Sequence, residues 1–210
     1  MKDIIELHTD ADGSCESQAS LDFHPQSFDD YLGQDHIKKK LDVYVKAALQ
    51  RDEPLDHLLL HGPPGLGKTT LAEIMAHLMG VHIRICTGPM LERKGDLISL
   101  LTSMKRKDIL FIDEIHRMPI SVEEILYGAM EHFKVDVIMG QGTGAESITL
   151  PIEQFTLIGA TTKTGALSAP LRSRFGITER LDYYSVQTLA SIVKQSAQFL
   201  NIHLSDDSAE

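Results

Sequence analysis

The sequence predicts an α/β fold, a parallel sheet flanked by helices, and three observations lead to it. Short apolar runs alternate along the chain with segments of helical spacing. One such run, Leu58-Leu59-Leu60, passes straight into a glycine-rich turn that opens a helix. Another, Ile109-Leu110-Phe111-Ile112, is apolar at every position, as a strand covered on both faces must be.

The elements follow in chain order. Residues 1–22 are polar and acidic and read as a flexible arm. Ile37, Leu41, Val45, Ala48 and Leu49 recur at helical spacing after Asp29 and Asp30, and Pro54 closes that helix. Leu58–Leu60 form a buried strand, and a helix from Lys68 to Met79 stops at Gly80. Val81, Ile83 and Ile85 alternate as a strand, residues 95–104 are helical, and 109–112 are the apolar strand. Ser121 is placed to cap a helix, with Glu124 as its capping-box partner. Residues 135–150 alternate around Gly140, Gly142 and Gly144 as a hairpin. Phe155–Ala160 form a further buried strand, Ser168 starts a short helix carrying Arg172 and Arg174, and residues 186–200 are helical. The large domain is therefore expected over 23–184, with a small helical lid beginning over 185–210 and incomplete there.

Composition bounds the rest. The net charge is −10, but residues 1–30 hold eight acids against one base and so carry −7 of it, leaving −3 for the remainder. A domain that grips DNA over a broad surface is usually basic, and this one is not. Lys38-Lys39-Lys40 and Lys105-Arg106-Lys107 read as solvated faces. Two cysteines, Cys15 and Cys86, argue against a disulfide framework and for a reducing, cytoplasmic setting. No apolar run approaches the ~18–20 residues that span a bilayer, and no secretory signal opens the chain.

The strongest chemical signal is Gly62-Pro63-Pro64-Gly65-Leu66-Gly67-Lys68-Thr69, which fits G-x-x-x-x-G-K-[ST] without a mismatch. Its glycines let backbone N–H groups turn inward around phosphates, and the helix that follows points its positive end at the same anion. In a site for ATP or ADP, Lys68 is expected on the β/γ-phosphates and the Thr69 hydroxyl on Mg²⁺, with Thr70 beside it in the first turn. Asp113-Glu114 emerge where the apolar strand ends, the edge at which ligands bind in such sheets. Asp113 is expected to hold Mg²⁺ through water and Glu114 to activate the attacking water. A P-loop enzyme passing phosphate to a bound acceptor needs no such glutamate, so the pair favours ATP hydrolysis over a kinase. The strand before Thr161-Thr162 brings two hydroxyls to the same edge. Thr162 is the preferred γ-phosphate sensor, since it lies twelve residues before Arg174, the spacing of related ATPases. Arg174 has the position of a finger supplied to a neighbouring subunit, which implies a ring. Arg172 is the weaker candidate for a contact to nucleotide or to an acid across that interface.

Together these pieces resemble the RuvB branch-migration ATPases of the AAA+ class. The resemblance runs from about Asp22 onward and rests on DHLLLHGPPGLGKTT (56–70), ILFIDEIHRM (109–118), VEEILYGAMEHF (122–133), FTLIGATT (155–162) and LRSRFGI (171–177). It implies an ATP-driven, homo-oligomeric ring of six subunits that moves DNA through a four-way junction held by a RuvA-like protein. It also implies that Phe23, His24 and Tyr184 lie at the nucleotide, and likewise Glu131, His132 and Phe133. By the same resemblance the 135–150 hairpin docks on the RuvA-like partner, with Val135, Val137, Ile138 and Ile148 as apolar contacts. Departures from the pattern are Phe23-His24-Pro25 for Leu-Arg-Pro, Gly128 and His132 in the Tyr127 motif, and Glu146 for an arginine near the hairpin. The family's sensor-2 arginine and winged-helix DNA-binding domain are expected beyond the residues present. The alternative reading is a nucleotide-binding platform that docks on the RuvA-like partner without translocating DNA. A clamp-loader subunit is disfavoured by DEIHR (113–117) and the hairpin.

Overall fold

A computed structural model of the chain describes residues 25–139, 146–200 and 202. In chain order the elements are α1 (Asp35–Arg51), β1 (Leu58–His61), α2 (Lys68–Met79), β2 (Ile83–Thr87), α3 (Lys94–Thr102), β3 (Ile109–Asp113) and α4 (Ile120–His132). They continue with β4 (Lys134–Met139), β5 (Glu146–Pro151), β6 (Thr156–Thr161), α5 (Ala169–Arg172), β7 (Ile177–Arg180) and α6 (Val186–Phe199). Five strands form one parallel sheet in the order β2-β3-β6-β1-β7, and β4 pairs with β5 as an antiparallel hairpin. Among the described residues no helix is long and apolar enough to cross a membrane.

The uninterrupted apolar strands are explained by the two cores they serve. Leu58, Leu60, Ile109, Phe111, Ile158 and Ala160 face one side, where α1 and α2 supply Ile37, Leu41, Val45, Leu71 and Met75. Leu59, Leu110, Ile112 and Leu157 face the other, against Leu97, Leu101, Val122, Leu126 and Leu171 from α3, α4 and α5. Period-two alternation thus sends the apolar residues of β1, β3 and β6 into one or other of two layers. Cys86 lies in the second core, where burial pushes its thiol up to about 12, so it behaves as a small apolar side chain.

Several expectations need correcting. Ser121 does not cap α4; Pro119 does, its carbonyl accepting from the N–H groups of Val122 and Glu123 at 2.9 and 3.0 Å, so Ser121 falls inside the first turn. It is Glu123, not Glu124, that turns inward and is buried. In α1, Ile37, Leu41, Val45 and Ala48 are buried but Leu49 is on the solvent side. The helix begins after Gln34, whose amide spans the backbone N–H and carbonyl of Asp182. Strand β7 has no counterpart in the sequence reading. Its inward positions are Ile177 and Glu179, and the carboxylate is tolerated because Lys40 reaches it at 3.0 Å. The two lysine runs are tied to acids as well, Lys38 to Asp35 and both Arg106 and Lys107 to Asp52. The hairpin forms as expected, but Val135 is buried in the domain's own core and offers no contact to a partner. Val137 and Ile148 are cross-strand partners, while the side chain of Ile138 and the 140–145 tip lie outside the described residues.

His57 pins the starting edge of the sheet to the end of α4. Its Nδ1 accepts from the Leu157 N–H at 2.9 Å, so Nε2 carries the proton toward the Met130 carbonyl at 3.2 Å. Burial lowers the imidazole's pKa below its ordinary 6.5, whereas the unfolded chain keeps the ordinary value. The contribution of His57 to stability is therefore complete above about pH 6.5 and is lost as pH falls through the depressed folded value. Denaturant midpoints measured from pH 7 down to pH 5 are expected to fall, and to fall less steeply in His57→Gln.

Candidate nucleotide site

The phosphate loop spans from the end of β1 to the start of α2, and its geometry requires glycine at two places. Gly62 has φ +148°, and a Cβ there would lie 2.5 Å from the Leu181 carbonyl oxygen. Gly67 has φ +80°, and a Cβ would lie 2.6 Å from the Tyr31 hydroxyl oxygen. An alanine at 67 combines a left-handed backbone costing about 1–3 kcal/mol with a clash that displaces Tyr31 or the loop. Gly67→Ala is expected to weaken nucleotide binding by about ten- to a hundredfold, read by titration with a fluorescent nucleotide.

Lys68 opens α2 and folds back over the loop, its ammonium donating to the carbonyls of Gly62 at 3.1 Å and Pro63 at 2.8 Å. Burial lowers its pKa, and the Asp113 carboxylate opposes that shift. Strand β6 lies between the strands that carry the two groups. Thr69 and Thr70 follow in the first turn, both half-buried.

At the end of β3, Asp113 accepts from the Glu114 N–H at 2.8 Å, and Glu114 itself has φ 47° and ψ 40°. A left-handed glutamate is a strained residue, and strain of this kind gathers where geometry serves chemistry. The Glu114 carboxylate is partly open to solvent and holds Arg117 at 2.7 Å. One strand over, at the same edge, Thr161 is buried, bonded to His116 Nδ1 and accepting from the Lys163 N–H, each at 3.0 Å. Thr162 is the exposed member of the pair, beyond the strand end.

A cleft of about 510 Å³ extends from the loop, lined by Gly65, Gly67, Thr70 and Tyr184 together with Tyr31 and Gln195. The hydroxyls of Tyr31 and Tyr184 lie 2.8 Å apart and within 2.8 and 3.1 Å of the Leu66 carbonyl, so one donates to that carbonyl and the other to its neighbour or to the carbonyl in turn. Tyr31 is buried, and that burial raises its pKa, so it stays a neutral phenol. The segment before α1, the loop and the chain after β7 thus share one hydrogen-bonded corner. Sequence reasoning found Tyr184 but not Tyr31, which belongs to no motif; the signal was an aromatic just before the first helix. Phe23 and His24 lie outside the described residues.

Other candidates are not brought to this chain's own loop. Glu131, His132 and Phe133 end α4 at the opposite edge of the sheet, where Met130 meets His57, and Phe133 stacks edge-on against Phe155 at 6.4 Å. Arg174 lies beside them on the α4–α5 flank, its Nη2 3.1 Å from Glu131. Arg172 is exposed at the end of α5. The residues fall into two groups: a phosphate cradle with an acidic pair at one sheet edge, and an arginine on a flank away from it.

The cradle, a lysine beside it, a helix hydroxyl and an acidic pair can bind a nucleotide's phosphates. Comparison with known proteins agrees. A family model described as the Holliday junction DNA helicase RuvB P-loop domain matches residues 23–181. The Holliday junction branch migration complex subunit RuvB of Pediococcus pentosaceus is 54% identical over 194 residues, covering 92% of this chain and 58% of that protein. The subunit of the same name from Ligilactobacillus salivarius is 54% identical over 185 residues, covering 88% of this chain and 55% of that protein. The solved structure of the Thermotoga maritima RuvB Holliday junction branch migration motor superposes with a TM-score of 0.78 at 47% identity, covering 89% of this chain and 58% of that one. The chain therefore spans somewhat over half the length of these relatives. It has their AAA+ P-loop fold, and on the matched span and the shared identity it belongs to the RuvB P-loop domain family.

Proposed function

We propose that the chain is the ATP-hydrolysing core of a Holliday-junction branch-migration motor, acting as a ring of identical subunits. One observation carries this reading. Lys68, Asp113, Glu114 and Thr162 stand at or after the ends of parallel strands at one edge of the sheet, whereas Arg174 is paired with Glu131 on the α4–α5 flank. A site divided in that way is completed by a second copy, the arrangement of a motor ring.

The residues suit Mg²⁺–ATP: the loop follows backbone at Gly62 and Gly67 that a Cβ would obstruct, a shape that lets its N–H groups turn toward phosphates, and Thr69 and Asp113 are oxygen donors of the kind Mg²⁺ takes beside phosphates. Bound Mg²⁺ would supply charge neutralisation at the β- and γ-phosphates. Lys68 exchanges the loop carbonyls for phosphate oxygens as the nucleotide enters. Glu114 leaves Arg117 and takes a proton from the attacking water. The water oxygen bonds to the γ-phosphorus while the bond to the β–γ bridging oxygen breaks, releasing ADP and phosphate. Thr162 donates to a γ-phosphate oxygen, and a neighbour's Arg174 meets the charge that develops there. Tyr31 and Tyr184 wall the cleft that receives the nucleoside.

The relatives' names supply the junction. The RuvA-like partner is read onto the β4–β5 hairpin, with Val137 and Ile148 as its apolar offering now that Val135 is committed to the core. The test is Mg²⁺-dependent ATP hydrolysis by the purified chain, alone and with four-way junction DNA and a RuvA-type protein. Hydrolysis stimulated by that mixture supports the motor. ATP binding with no hydrolysis under any of these conditions would leave a nucleotide-gated platform instead.

A further inference from the structure

One face of α4 meets α5 through a chain of polar contacts that the nucleotide chemistry above leaves unexplained. Glu123, Tyr127 and Glu131 are spaced i, i+4 and i+8, so they lie along a single stripe of the helix. Glu123 is a buried carboxylate. It accepts from the Tyr127 hydroxyl at 2.6 Å and from the Ser168 hydroxyl, which is also the N-cap of α5. A buried carboxylate is costly unless it is bonded; the two hydroxyls satisfy this one, and Ser168, through Glu123 and Tyr127, joins the start of α5 to α4.

Every described grip on Arg174 comes from this assembly. Its guanidinium carbon stands 4.6 Å from the centroid of the Tyr127 ring, within cation–π range. Nη2 pairs with Glu131 at 3.1 Å, and Nη1 donates to the Pro170 carbonyl of α5 at 2.7 Å. The Nε–H is buried and has no hydrogen-bond partner among the described residues. Next along the chain, buried Phe175 lies against Gly159 of β6, anchoring the backbone beneath the arginine. The side chain is therefore held from below, beside and behind, which exceeds what an ordinary surface ion pair provides.

We propose that the Glu123–Tyr127–Glu131 stripe of α4 positions Arg174 for the neighbouring copy's nucleotide. These are positioning residues: they act through Arg174. The inference rests on the shared site proposed above. The sequence resemblance placed Glu131 at the nucleotide itself; in the structure its carboxylate pairs with Arg174.

The test uses the whole chain carrying Glu131→Gln, which keeps the shape but not the charge, and Tyr127→Phe, which keeps the ring but loses its tie to Glu123. Each is expected to lower kcat by about tenfold, with KM for ATP within about twofold of the parent, the pattern of an interaction made in the transition state. Mixing either variant with Glu114→Gln chains, whose own α4 stripe is intact, is expected to restore turnover above that of both components. A merely structural defect would not be mended by a neighbour. Unchanged kcat in both variants would overturn the proposal. So would a raised KM at constant kcat, which puts Glu131 on the nucleotide, or failure to complement where Arg174→Ala succeeds. If Arg174→Ala itself leaves turnover intact, the shared site falls, and the stripe's role with it.

Discussion

Arg174→Ala is expected to lower ATP turnover by about 10³-fold or more, the lower end of the range for an arginine supplied across an interface. Nucleotide binding by the same chain should be left near the parental value. The split follows from placement: Arg174 is held by Tyr127, Glu131 and Pro170 on the α4–α5 flank, and none of the residues around the phosphate loop touches it. Removing it deletes no contact of the cradle. The fold should survive, since the side chain is partly exposed and Phe175, not Arg174, fills the core beside α5. Steady-state hydrolysis and equilibrium nucleotide titration on the same preparation check both halves of this expectation.

Glu114→Gln is expected to reduce turnover by about 10²–10⁴-fold, the usual contribution of a positioned general base, again with ATP still bound. Glutamine preserves volume and can still accept from Arg117, but it cannot take the proton of the attacking water. Lys68, Asp113 and the loop glycines are unaffected, so the variant should bind ATP and hold it. A second consequence separates the two variants. Glu114→Gln is expected to spoil the chain's own site, whereas Arg174→Ala is expected to spoil its neighbour's. Single-turnover measurement of ATP cleavage reads the chemical step without interference from product release.

Much of this arrangement was legible in the sequence because it rests on local chemistry. The glycines of 62–67 report backbone that no other residue can follow, and the helix from Lys68 to Met79 is bounded by Gly67 and Gly80, both left-handed. Strands β1, β3 and β6 stand out because two apolar layers leave their central positions apolar on both faces. What stayed hidden depends on partners far along the chain. Strand β7 carries Glu179 at an inward position, and only the approach of Lys40, 139 residues away, makes that charge acceptable. Tyr31 belongs to no motif and gains its place from Tyr184 and the Leu66 carbonyl. Val135 alternates as a hairpin residue should, yet the base of the hairpin lies against the core and swallows it. Glu131 and Arg174 are separated by a hairpin and a strand, so neither spacing nor composition reveals that they meet.

The divided site is the central claim, and mixing two inactive chains tests it most directly. Arg174→Ala and Glu114→Gln proteins are prepared separately, each with little turnover, then combined in equal amounts and assayed for Mg²⁺-dependent ATP hydrolysis. Activity is expected to return, because an intact cradle from one chain can meet an intact Arg174 from the other. A mixture no more active than its components, under conditions where the parent chain hydrolyses ATP, would mean that the arginine and the acidic pair do not act across an interface.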